Sequence, residues 1–118
     1  MNDYNPVQVE AAIRQCANQI ADGVKVCGTR YAEYLDADRD YDAAYARAYL
    51  AADGPVHKRQ HIAELDTQDE RARRDAADAA YRYADRRARA LEAELRALQS
   101  VGASIRQMYS VAGRGEGA

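Results

Sequence analysis

The chain has 118 residues, with 17 Lys and Arg against 19 Asp and Glu, a formal net charge of −2 and 31% charged residues. That balance argues against the broad positive field of a sequence-reading DNA binder, and the length suits one domain. Trp and Phe are absent, nine Tyr make up the aromatic content, and Ala dominates the apolar remainder, a composition that favours long helices packed closely through Ala and Tyr over a thick globular core.

The opening MNDYNPVQVE has no basic run followed by an apolar stretch. No segment approaches the roughly 20 apolar residues that span a bilayer, so a cytoplasmic protein is expected. The first helix is expected over 6–52. Asn5 is placed as N-cap, Pro6 at the first helical position, and Gln8 three residues after the cap to close a capping box. Val9, Ile13, Cys16, Ile20, Val24, Cys27, Tyr31, Tyr34, Tyr41, Tyr45, Ala48 and Ala52 then recur at spacings dominated by three and four, with Asp38 the charged member of the row. That one-sided periodicity runs far beyond an ordinary globular helix. Gly23 and Gly28 interrupt it and suggest a kink or a close crossing. Asp53, Gly54 and Pro55 form a stop signal.

A short helix over 56–65 is expected next, lying across the hairpin end with Val56, Ile62 and Leu65 pointing inward. Thr67 and Glu70 have capping-box spacing, and a second long helix is expected over 68–109, its stripe being Ala76, Ala80, Ala84, Ala88, Leu91, Leu95, Leu98, Ile105 and Met108 or Tyr109. A flexible tail over 113–118 should follow, since AGRGEGA has nothing to bury. Two helices of similar length with a compact connection imply a long antiparallel, coiled-coil-like hairpin. A register in which facing position numbers sum to roughly 121 sets Glu33, Asp36, Asp38, Asp40 and Asp42 beside Arg74, Arg82, Arg86, Arg87 and Arg89. It also sets Ile13, Ile20 and Val24 against Ile105, Val101 and Leu98.

A lone hairpin leaves part of each stripe in water, so assembly into a helical bundle is expected, as a homodimer or higher oligomer or with a different partner chain. Tyr31, Tyr49, Ile13, Ile20, Ile105, Met108 and Tyr109 are the candidate interface residues, because Tyr suits surfaces that are apolar on one side and wet on the other. Arg74, Arg82, Arg86, Arg87 and Arg89, near Tyr81 and Tyr83, are candidates for a phosphate backbone, diluted by Asp75, Asp78 and Asp85.

No catalytic or cofactor-binding residues are expected. Phosphate-loop, Ser-centred and Cys/His nucleophile patterns are missing. His57 and His61, four apart, would share a helix face with Glu64 or Asp53 nearby, but a structural or solvent-exposed role is favoured and no metal is expected. Cys16 and Cys27, eleven apart on one helix and so about 16 Å from each other, cannot bond together.

The stretch YDAAYARAYLAADGPVHKRQHIAEL followed by RARALEAELRALQSVGASIRQMY, roughly positions 41 to 109, resembles small, mostly uncharacterised helical proteins of actinobacterial phages and prophages. The resemblance rests on the AYARAYL run into Ala51, Ala52, Asp53 and Gly54, on Arg59, and on the Leu-rich ending with Ser104 and Arg106. Such proteins are commonly encoded among early-region genes that include recombination and replication functions. The resemblance therefore implies a phage context, in the cytoplasm of a bacterial host. With the residues it suggests a non-enzymatic accessory protein, either an adaptor to recombination or replication proteins or an inhibitor of a host factor. The alternative is a dimeric DNA-binding bundle that uses the Arg-rich second helix.

Overall fold

A computed structural model describes residues 5–116, with side chains through Gly113. The protein is an all-α hairpin of three helices, α1 (Pro6–Ala51), α2 (Val56–Asp66) and α3 (Gln68–Glu116), and the two long helices pack against each other. No helix among the described residues is long and apolar enough to cross a membrane.

Helix α1 starts as its sequence requires. Asn5 Oδ1 accepts from the Gln8 backbone N–H at 2.8 Å, and Gln8 Oε1 accepts from the Asn5 N–H at 3.1 Å, a closed capping box. The helix is continuous through Gly23 and Gly28, and a Cβ at either position would meet nothing within 4 Å, so neither glycine serves a close crossing. The stop at Asp53–Pro55 works through Gly54, whose φ of +107° is accessible to Gly without strain. The Ala52 N–H closes α1 on the carbonyls of Ala48 and Tyr49, and the Pro55 carbonyl opens α2 by accepting from Lys58 and Arg59.

Thr67 departs from its expected role. Its hydroxyl donates back to the Ala63 carbonyl at 2.6 Å and so closes α2, while its own carbonyl accepts from the Arg71 N–H to start α3. One residue thus ends one helix and begins the next, and Glu70 is drawn toward Arg73 instead of the cap, its Oε1 standing 3.8 Å from Arg73 Nη2. Helix α2 also buries a different face from the one expected. Ala63 is fully buried and Ile62 half-buried, but Val56 and Leu65 point outward, because Thr67 belongs to the inner row with Ala63, four residues before it. At the far end α3 runs on to Glu116, well past the expected end at 109. No Pro and no left-handed glycine interrupts Ser110 to Gly113. Positions 117 and 118 of the expected tail lie outside the described residues.

The packing divides into two compact units, one formed by residues 1–24 with 86–118, the other by residues 25–85. In the first, Cys16, Leu91 and Leu98 form a buried cluster flanked by Ala12, Ile13, Ile20 and Leu95. The Cys16 thiol donates to the Leu91 carbonyl at 3.3 Å, and burial, followed by the nearby Glu94 charge, pushes this thiol above its ordinary pKa. Gly102 is buried because Val9 sits on it: a Cβ there would lie 3.1 Å from Val9 Cγ1.

The facing numbers therefore sum to 107 for Cys16 and Leu91 and to 111 for Val9 and Gly102, not to 121. Val9 thus approaches α3 closely at a position that has no side chain. Val24 accordingly does not meet Leu98 and stands 66% exposed. In the second unit Tyr31 faces Tyr81, and Asp38 faces Arg74, each pair summing to 112. There the α3 stripe passes through the half-buried Ala77, Ala80 and Tyr81 and the buried Ala84, leaving Ala76 exposed.

Among the described residues, the expected ladder of acid and base across the helices keeps Asp38 with Arg74 at 3.9 Å. Arg30 pairs with Glu33, Arg39 with Asp36, and Arg82 with Asp78, each within its own helix. Side chains three or four apart on one helix meet without crossing the seam, and the changed register moves the cross-helix partners out of line.

Candidate functional site

The candidate positions fall in both units. In residues 25–85, Tyr31 is 46% exposed with its ring centroid 5.1 Å from Tyr81 and 6.5 Å from Tyr34, so its inner edge packs and its outer edge meets solvent. Tyr41 and Tyr45 stand 6.2 Å apart, and the Arg74 guanidinium lies 4.5 Å over the Tyr41 ring. Partial burial would lower the Arg74 pKa, but the Asp75 hydrogen bond and the charges of Asp75, Tyr41 and Asp38 outweigh it and hold the group cationic. Arg74 thus lies against the Tyr41 ring with Asp75 and Asp38 beside it. Tyr49 is half-buried, whereas Leu50 beside it is 83% exposed.

A cleft between α1 and α3 in this unit is lined by Glu33, Asp36, Ala37, Asp40, Glu70 and Arg73. Glu33, Asp36 and Glu70 each stand within ion-pair distance of an Arg of their own helix. His57 and His61 are exposed, and His61 Nδ1 lies 3.8 Å from Glu64. Among the described residues no three His, Cys, Asp or Glu side chains converge on one point. Cys16 and Cys27 are both free thiols.

In the unit of residues 1–24 and 86–118, Ile13 and Ile20 pack against the Cys16–Leu91–Leu98 cluster, and Ile105 is half-buried further along α3. Beyond it the same helix presents Met108, 65% exposed, and Tyr109, 59% exposed. A shallow groove runs beside them, lined by Ser104, Gln107, Met108 and Val111. Of the remaining arginine candidates, Arg82 is exposed and paired with Asp78, Arg86 and Arg87 are exposed, and Arg89 is engaged.

The seven interface candidates divide between the two units, Tyr31 and Tyr49 in residues 25–85 and the other five in residues 1–24 with 86–118. Ile13 and Ile20 serve the helix seam, Tyr31 belongs to the aromatic pair with Tyr81, and Met108 and Tyr109 stand on the last turns of α3. Val111 and Leu50 were missed by sequence reasoning. Val111 continues the row three residues after Met108, a signal hidden by ending the helix at 109. Leu50 lies off the Tyr stripe, so periodicity alone could not find it. No family model, curated protein or solved structure matches this chain.

Proposed function

We propose that this chain is a non-enzymatic accessory protein of phage type that acts by binding other proteins, as an adaptor to recombination or replication proteins or as an inhibitor of a host factor. The observation that carries the reading is the exposure of large apolar side chains on continuous helices, with Met108, Tyr109 and Val111 on α3 and Tyr31 and Leu50 on α1. Residues of this kind, already ordered by a helix, bind a partner without a large ordering cost. The phage context rests on the resemblance of positions 41 to 109 alone.

A photo-crosslinking side chain at Tyr31, and separately at Leu50, tests this reading in the bacterial host. The expected result is one trapped protein whose purified form binds the chain with an affinity that changes little with salt. The second reading, DNA binding by a dimer, is favoured by the exposure of Arg86 and Arg87 on α3. An absence of trapped protein, with a DNA affinity that falls steeply with salt and is lost in Arg86→Glu/Arg87→Glu, would contradict the first reading and establish the second.

A further inference from the structure

Helix α3 outruns its partner. With Val9 seated on Gly102, the start of α1 at Pro6 comes level with Ile105, and the closed capping box at Asn5 fixes that start. From Arg106 to Glu116, eleven residues or about 16 Å of helix, α3 has no α1 alongside. The seam that α1 covers does not stop there. Leu91, Leu95, Leu98, Gly102, Ile105, Tyr109 and Ala112 recur at alternating spacings of four and three, so the uncovered stretch continues an interface already formed.

We infer that the uncovered end of α3 is closed by the same segment of a second copy, antiparallel about a two-fold axis between Ser110 and Val111. This rests on the reading that the protein acts by protein contact, and it names one partner and one place. The two-fold sets a large residue against a small one, Tyr109 against Ala112. It also brings the carbonyl end of each α3 up to the amide end of the other copy's α1, whose first turn carries no acidic residue to neutralise it. The contact is isologous and closed, as a two-fold dimer requires.

The seam is short, so the dimer dissociates on dilution. Light scattering coupled to size exclusion, across about a hundredfold range of full-chain concentration, should show the mass rising from 13.1 kDa to twice that value. Met108→Glu should remain at the monomer mass throughout. Ala112→Glu should do the same with its helix content intact by circular dichroism, since position 112 is exposed in the single chain and faces Tyr109 only in the dimer. Leu50→Glu should dimerise as the wild type does. A wild-type chain that stays monomeric, or a Met108→Glu chain that dimerises normally, overturns the inference. A dimer abolished by Leu50→Glu and spared by Met108→Glu also overturns it, while leaving the protein-contact reading intact; that reading fails only in the crosslinking experiment.

Discussion

The two units are closed by the same two helices and held by different chemistry. Residues 1–24 with 86–118 are joined by an aliphatic and small-residue seam, in which Val9 rests on Gly102 and Cys16 reaches the Leu91 carbonyl among buried leucines. Residues 25–85 are joined by rings and charge, with Tyr31 on Tyr81, Arg74 over Tyr41, and Asp38 opposite Arg74. An aliphatic seam depends on fit, so volume changes there are costly at any ionic strength. A seam of tyrosines and an ion pair tolerates water at its edges and answers to salt. A helix pair can therefore stay continuous while its stability is set by different forces along its length.

Truncation in the aliphatic seam should have the largest effect. Leu91→Ala removes a buried side chain from the cluster and is expected to destabilise by about 3 kcal/mol in urea unfolding, with little dependence on added salt. Arg74→Ala, in the other unit, should cost about 1 kcal/mol through loss of the ring contact and the Asp38 pair. Part of that difference should disappear at ~1 M salt. Equal costs with equal salt dependence would erase the distinction between the units.

The glycines sharpen the same comparison. Gly102→Ala pushes a Cβ against the buried Val9, and an overpacking cost of about 2 kcal/mol, less about 1 kcal/mol gained in helix propensity, predicts net destabilisation. Gly23→Ala and Gly28→Ala meet open space and should each stabilise by about 0.5 to 1 kcal/mol in thermal unfolding. If all three substitutions stabilise, Val9 does not rest against Gly102.

The smallest effect is one of pH. The folded Cys16 thiol has a raised pKa, so the folded chain holds that proton where the unfolded chain has lost it. Its contribution is complete below the unfolded value of ~8.5 and declines as pH rises through the interval up to the folded value. Unfolding measured between about pH 8 and 10.5 should show a decline that is shallower in Cys16→Ala, whatever that variant costs at neutral pH. Identical slopes for the two proteins would mean that Cys16 is not sheltered by the seam.

The helices, the start of α1 and the stop between α1 and α2 were legible because each depends on local chemistry: the Asn5–Gln8 capping box, Gly54 at the stop, and stripes at spacings of three and four. Thr67 was misread because a hydroxyl after a helix and before another has two carbonyl and amide neighbours to choose from, and the buried Ala63 carbonyl prevailed. The alignment of α1 on α3 was not legible. Ile, Leu, Ala and Val repeat so evenly that sliding one helix by a few turns still matches apolar with apolar. The contact of Val9 on Gly102 involves a residue without a side chain, invisible to any pairing by volume or charge. The expected register would set Met108 and Tyr109 beside α1, whereas they stand 65% and 59% exposed.

The alignment is the claim on which the uncovered end of α3 depends, and disulfide trapping from the native Cys16 tests it most directly. In a Cys27→Ser background, Leu95→Cys and Ile105→Cys place a second thiol at positions ten residues apart, about 15 Å along α3. Leu95 packs against the cluster that contains Cys16. Mild oxidation should therefore bridge Cys16 to position 95 within one chain and leave position 105 unbridged. A bridge to position 105 and none to position 95 would restore the longer register, cover the end of α3 with α1, and contradict the account.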